Sequence, residues 1–214
     1  MRFKASFLHF LVMVVLIAAP AAAQQQSAQL VGFGDSLMAG YQLAPSESYP
    51  AKLEAALKAK GRDVTVANAG VSGDTTSGGL SRVDWSVPDG TDGVILELGA
   101  NDALRGISPA ETEKNLEAII SRLKERGIPV LLVGMMAPPN MGSDYSRRYN
   151  EIFPRLAEKH GLQLYPFFLD GVVTVQGTQL EDGMHPNARG VEIMVERSLP
   201  AVERFLGEIG AGAK

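Results

Sequence analysis

None of the chain's 214 residues is cysteine. That excludes a disulfide scaffold, a thiolate nucleophile, a Cys-ligated zinc site and a lipoprotein anchor. Histidine is nearly as scarce, with His9, His160 and His185 as the whole supply, so few side chains can serve as a base near neutral pH. Internal repeats, charge blocks and an apolar run of comfortable membrane-spanning length are absent too. Positive charge is not in excess, with 20 Lys+Arg against 24 Asp+Glu, which argues against nucleic acid as a partner.

What is present begins with Arg2 and Lys4, an apolar run from Phe7 to Ala19, and Pro20-Ala21-Ala22-Ala23 ahead of a polar Gln24. This is the pattern of a secretory signal peptide cleaved after Ala23. Residues 1–23 are read as that signal and residues 24–214 as a single domain of 191 residues (214 less 23). Without Arg2 and Lys4 the balance is 18 against 24, a net charge of −6. The expectation is a periplasmic or secreted protein, with no twin arginine and no stable membrane insertion once the signal is gone. Such an anionic 191-residue domain is expected to be a monomer with a core of its own.

Strands are expected over 29–33, 64–67, 93–98, 130–133 and 162–165. Between them the punctuation favours helices. One runs from Tyr49 or Pro50 to Lys60 after Ser48, and stops at Gly61. Ser108-Pro109-Ala110-Glu111 opens a second, carrying Leu116, Ile119, Ile120 and Leu123 on one face. A third places Tyr149, Ile152, Phe153 and Leu156 together before Gly161. The last starts near Asn187, with a kink or restart expected at Pro200. Strands alternating with helices specify an α/β fold, a parallel sheet covered on both faces. Right-handed crossovers bring the loops that follow the strands to one edge of that sheet.

Those loops carry Gly34-Asp35-Ser36, then Asn68-Ala69-Gly70-Val71-Ser72-Gly73, then Gly99-Ala100-Asn101-Asp102, and finally Asp182-Gly183-Met184-His185-Pro186. Acyl transfer needs a nucleophile, a base oriented by a third group, and donors for the developing oxyanion. Ser36 can supply the hydroxyl and His185 the base. Asp182 can bend back across a glycine to one imidazole nitrogen. The backbone N–H groups of Ser36 and Gly73 and the amide of Asn101 can serve as oxyanion donors. Singly, each has a plainer reading: Ser36 as a helix cap, Asn101-Asp102 as a turn, Gly73 as a loop glycine, His185 as a surface histidine. His160, in the last turn of its helix, is explained by the helix dipole.

The four blocks together resemble the GDSL or SGNH hydrolases, in order and spacing, over essentially the whole of residues 24–214. The likeness is greatest to the secreted thioesterase, lysophospholipase and arylesterase group. It implies a three-layer, flavodoxin-like five-stranded parallel sheet, Ser36 as nucleophile, Asp182 and His185 completing the triad, and Gly73 and Asn101 as oxyanion donors. It implies no cofactor and no metal, and an acyl ester, thioester or lysophospholipid as substrate.

Three rivals bear comparison. An α/β-hydrolase elbow would read G-x-S-x-G, whereas Met38 stands at the last position. A metal-dependent phosphoesterase would draw on Asp35, Asp74, Asp102, Asp182 and His185, with too few histidines for a binuclear cluster. A periplasmic binding protein would leave the Asp-x-x-His pair unexplained. For the acyl group, the methionine- and proline-rich stretch 134–141 is the candidate pocket, with Leu37 and Met38 beside the serine. Met135 and Met136 are balanced between pocket and buried strand, and Met141 is the preferred substrate-binding residue.

Overall fold

The computed structural model describes residues 27–173 and 175–210. The segment read as a signal peptide lies outside the described residues. Five parallel strands, β1 (Ala28–Gly34), β2 (Val64–Gly70), β3 (Gly93–Glu97), β4 (Val130–Val133) and β5 (Gln163–Tyr165), form one sheet in the order β2-β1-β3-β4-β5. The apolar runs of the inner strands β1, β3 and β4 are buried, as a covered parallel sheet requires, while the edge strands β2 and β5 are buried only in part.

Short helix α1 (Ser36–Ala39) follows β1, and α2 (Tyr49–Ala59) leads to β2. Next come α3 (Thr76–Ser86), α4 (Ala100–Leu104) and α5 (Pro109–Glu125), then α6 (Ser143–Asn150), α7 (Ile152–His160) and the closing α8 (Ala188–Glu208). Helices α2 and α8 pack together on one face, and α3, α5 and α7 cover the other.

Three elements depart from the sequence expectation. The third helix is two, α6 and α7, broken at Glu151; Pro154 has no N–H to continue the ladder to Asn150. Conversely, α8 runs without a restart through Pro200. Pro200 and Glu196 both face solvent, so water can take up the carbonyl that the proline leaves unpaired. Helix α3 was not among the expected helices, and it contains two poor helix formers, Gly78 and Gly79. Thr75 caps it through Gly78 N–H, and Gly79 packs against Leu98 and Phe33.

Strand order reverses direction between β1 and β3, which is where an open α/β sheet forms its crevice. Ser36 leaves β1 on one side of that point and Asn101 leaves β3 on the other.

Candidate active site

Strand β1 ends by presenting Asp35 and Ser36. The Asp35 carboxylate caps α1, accepting Leu37 N–H at 3.0 Å. Ser36 opens the helix almost buried, at the wall of a cavity. Gly34 has to be glycine at this bend: a Cβ there would sit 2.5 Å from Glu97 Oε2 and 2.6 Å from its backbone oxygen.

The candidate base, His185, arrives from the loop between β5 and α8. Backbone pairing of Leu180 N–H with His185 O (2.8 Å) and of Asn187 N–H with Thr178 O (3.0 Å) closes that loop. Within it Asp182 Oδ1 accepts the N–H groups of Met184 and His185, at 2.9 and 3.0 Å. Its other oxygen meets His185 Nδ1 at 2.6 Å. His185 Nε2 then lies 2.9 Å from Ser36 Oγ, across 149 residues of sequence. Serine, imidazole and carboxylate thus form one unbroken chain of hydrogen bonds.

Gly73 sits in a turn closed by Asp74 N–H to Val71 O (3.1 Å), with φ +84, a conformation that favours glycine. Arg105 Nη2 donates to the Gly73 carbonyl at 2.7 Å. Among the described residues, no protein acceptor takes the backbone N–H of Ser36 or of Gly73. Asn101 lies in the first turn of α4, and its Nδ2 donates to Asp35 Oδ2 (3.1 Å) and to Asp74 O (3.0 Å). Both neighbours are acceptors, so the amide nitrogen must face them. Asn101 thereby ties the Ser36 loop to the Gly73 loop.

Beneath these loops lie residues that the sequence did not single out. Arg82, 5% exposed, donates to Asp74 Oδ2 (2.6 Å), Ala69 O (2.8 Å) and Gly34 O (2.8 Å), with its guanidinium 4.1 Å over the Phe33 ring. It joins the ends of β1 and β2 to the Gly73 turn. Its only sequence signal was an arginine on a helix hidden by two glycines. Glu97, buried at the end of β3, accepts Asp35 N–H through Oε2 at 3.3 Å. Its Oε1 has no partner, nor does the buried hydroxyl of Tyr149.

Burial raises the Glu97 carboxyl well above the usual carboxylate range, with the neighbouring Asp35 charge adding to the effect. Burial likewise pushes Asp35 up to about 6, against the pull of its hydrogen bonds from Leu37 and Asn101. Asp182 goes the opposite way: the His185 ring and two backbone N–H groups hold it down at about 2.

A cavity of about 430 Å³ opens beside Ser36 and His185. Leu37, Leu104, Met135, Met136, Phe167 and Met184 contribute apolar wall. Met141 is not among its lining residues; its methyl lies 3.7 Å from where a Cβ on Gly106 would be. Met38 is fully buried under Gly32. The carboxylates that a metal reading would recruit have protein partners. Asp74 pairs with Arg82, and Asp102 accepts from Thr76 N–H at 2.8 Å, the Thr76 hydroxyl at 2.5 Å and Thr112 at 3.3 Å. Among the described residues, no three His, Asp or Glu side chains converge as a metal site would need.

The family model of the GDSL-like lipase/acylhydrolases matches residues 33–193, a span that takes in every one of these loops. The chain belongs to the GDSL-like lipase/acylhydrolase family. Within this family it is similar to an arylesterase of Vibrio mimicus, 44% identical over 177 residues, covering 82% of this chain and 88% of that one. It is also similar to thioesterase 1/protease 1/lysophospholipase L1 of Escherichia coli strain K12, 36% identical over 181 residues and 84% of each chain. Among solved structures, the SGNH-hydrolase family esterase AlinE4 superposes with a TM-score of 0.72 at 49% identity, over 86% of this chain and 99% of that one. The three-layer α/β fold is thus shared with these SGNH hydrolases, and the family is of the esterase and thioesterase type.

Proposed function

We propose that the protein is a metal-independent serine hydrolase that cleaves acyl esters or thioesters, lysophospholipids included, through Ser36, His185 and Asp182. The observation that carries this is the continuous chain from Ser36 Oγ to His185 Nε2 (2.9 Å) and from His185 Nδ1 to Asp182 Oδ2 (2.6 Å). His185 Nε2 takes the Ser36 proton as Oγ bonds to the acyl carbon, while Asp182 keeps the other ring proton on Nδ1 and steadies the imidazolium. The carbonyl oxygen becomes an oxyanion facing the Ser36 and Gly73 N–H groups and the Asn101 amide. For Asn101 this means releasing one of its two resting acceptors when the oxyanion forms, as catalytic hydrogen bonds often tighten only with substrate bound. The C–O or C–S bond then breaks, and the leaving group takes the proton from His185. Water, activated by the same imidazole, frees Ser36 and the acid.

The apolar cavity beside the serine suits the acyl chain, with Met135, Met136 and Met184 as adaptable wall. Met141 would act at most from behind that wall, through the Gly106 turn. Export to the periplasm or medium, cleavage after Ala23 and a monomeric state complete the proposal. They rest on the leader pattern and the net charge rather than on the site.

The test is a fluorophosphonate probe, which should label Ser36 stoichiometrically, with p-nitrophenyl ester hydrolysis surviving EDTA. Activity lost to EDTA and restored by a divalent cation would overturn the reading in favour of a metallo-phosphoesterase-like site.

A further inference from the structure

The His185 imidazole has its two in-plane edges occupied by Ser36 Oγ and Asp182 Oδ2. One of its faces is covered by Tyr41. The two ring centroids are 4.4 Å apart, with the planes inclined by 37°. The histidine stands at the mouth of a cavity, yet its side chain is only 18% exposed.

Tyr41 reaches that position by a short and costly route. Helix α1 ends at Gly40 in a left-handed cap, and the N–H groups of Gly40 and Tyr41 both return to Ser36 O, at 3.1 and 3.2 Å. The next residue, Gln42, has φ +58 and is the one non-glycine residue with positive φ among the described residues. A side chain with a Cβ is unfavourable there, and such strain persists where the surroundings impose it. Core packing does not account for the position, since Tyr41 itself remains 38% exposed. The segment that carries the nucleophile therefore also folds an aromatic ring onto the base.

We propose, resting on the Ser36–His185–Asp182 reading, that Tyr41 is a positioning residue for His185: its ring holds the imidazole in the plane of both hydrogen bonds and favours the imidazolium. The face of an aromatic ring carries negative electrostatic potential, which attracts a cation lying over it. In the proposed reaction His185 gains positive charge as it takes the Ser36 proton. The attraction thus strengthens towards the transition state and acts on kcat rather than on substrate binding. It needs the ring and not the hydroxyl.

The experiment compares Tyr41→Phe with Tyr41→Leu, which keeps apolar bulk without a π face, with rates scaled to serines titrated by fluorophosphonate. Tyr41→Leu should lower kcat about five- to tenfold with KM within about twofold, and Tyr41→Phe should recover most of that loss. Equal activity of the two variants, whether high or low, would overturn the proposal, as would a rise in KM at unchanged kcat. So would a loss that vanishes after scaling to titrated sites. Ser36→Ala and His185→Ala run alongside: full activity in either removes the triad reading itself, a result separate from any ranking of the Tyr41 variants.

Discussion

Two aspartates serve the same serine in opposite ways. Asp35, fully buried one residue before Ser36, is pushed up to about 6 because burial penalises its charge. Asp182, with its side chain 38% exposed, is held at about 2 by the His185 ring and two backbone N–H groups. In the proposed mechanism, burial marks the structural carboxylate and hydrogen-bond donors mark the working one. The buried pair Asp35–Glu97 braces the bend from below, while the exposed Asp182 keeps a dependable charge beside the imidazole. The rule that perturbed carboxyls point to catalysis would select Glu97 here, whereas the hydrogen bonds running from Ser36 through His185 end on Asp182.

The strongest way to break this comparison is Asp182→Asn. The fold should stand, since the loop is closed by backbone bonds from Leu180 and Asn187. With the orienting acceptor gone, kcat should fall on the order of ten-thousandfold. Near wild-type turnover measured on p-nitrophenyl esters would hand the role to another carboxylate.

Asn101→Ala comes next, because Asn101 touches both sides of the comparison. Loss of an oxyanion donor should lower kcat by about a hundred- to a thousandfold per titrated serine, with KM within a few-fold. The same amide bridges Asp35 and Asp74. The variant should therefore also lose about 1–3 kcal/mol of stability from acceptors left without a donor. A thermal melt alongside the kinetics separates the two losses, and an unchanged kcat would leave Asn101 a brace alone.

Glu97→Gln sharpens the buried side. The raised carboxyl of Glu97 means that its stabilising share is complete below its ordinary value of 4.5 and is lost as pH rises through the folded value. Asp35 behaves alike between 3.8 and about 6. Glutamine mimics the neutral acid, so wild type and variant should melt together below pH 4.5 and diverge as the pH rises above it, the variant higher. Each kcal/mol regained reads as about 2–4 °C in Tm for a domain of this size. Curves that stay parallel across pH would show Glu97 to titrate normally.

The smallest effect belongs to Asp182 as a stability group. Its depressed value gives stability that is present above 3.8 and lost as pH falls towards 2. Exposure to solvent weakens it, so Asp182→Asn should shift the acid limb of unfolding only slightly. An acid limb dominated by Asp182 would mean that the loop is far more rigidly held than its exposure implies.

The four site loops, the five strands and most of the helices were readable in the sequence. Capping, glycine stops and period-two or period-3.6 patterns are short-range and local to each element. Where reading went astray, a local rule met a tertiary circumstance. Helix α3 was not among the expected helices, and its Gly79 is what lets it approach Leu98. Pro200 argued for a kink or restart in α8, yet the helix runs on through it with Glu196 and Pro200 in solvent. Met141 looked like the pocket methionine, while Met135 and Met136 face the cavity.

By itself the sequence determined which groups could do chemistry. It offers one candidate base outside the helix dipole's account, one carboxylate able to fold back on it through Gly183, and one serine framed for exposure. The Asp182–His185 pairing needs only a turn's length of chain and follows from local geometry, whereas Ser36 meets His185 across 149 residues. Tertiary structure decided the setting. Placing β1 beside β3 puts Glu97 beneath Asp35, and Arg82 closes the ends of β1 and β2 onto the Gly73 turn. The bend after α1 lays Tyr41 on His185. These contacts join residues tens of positions or more apart, or depend on the direction in which a side chain leaves a strained backbone. Their existence is fixed by strand order and packing, which no local pattern encodes.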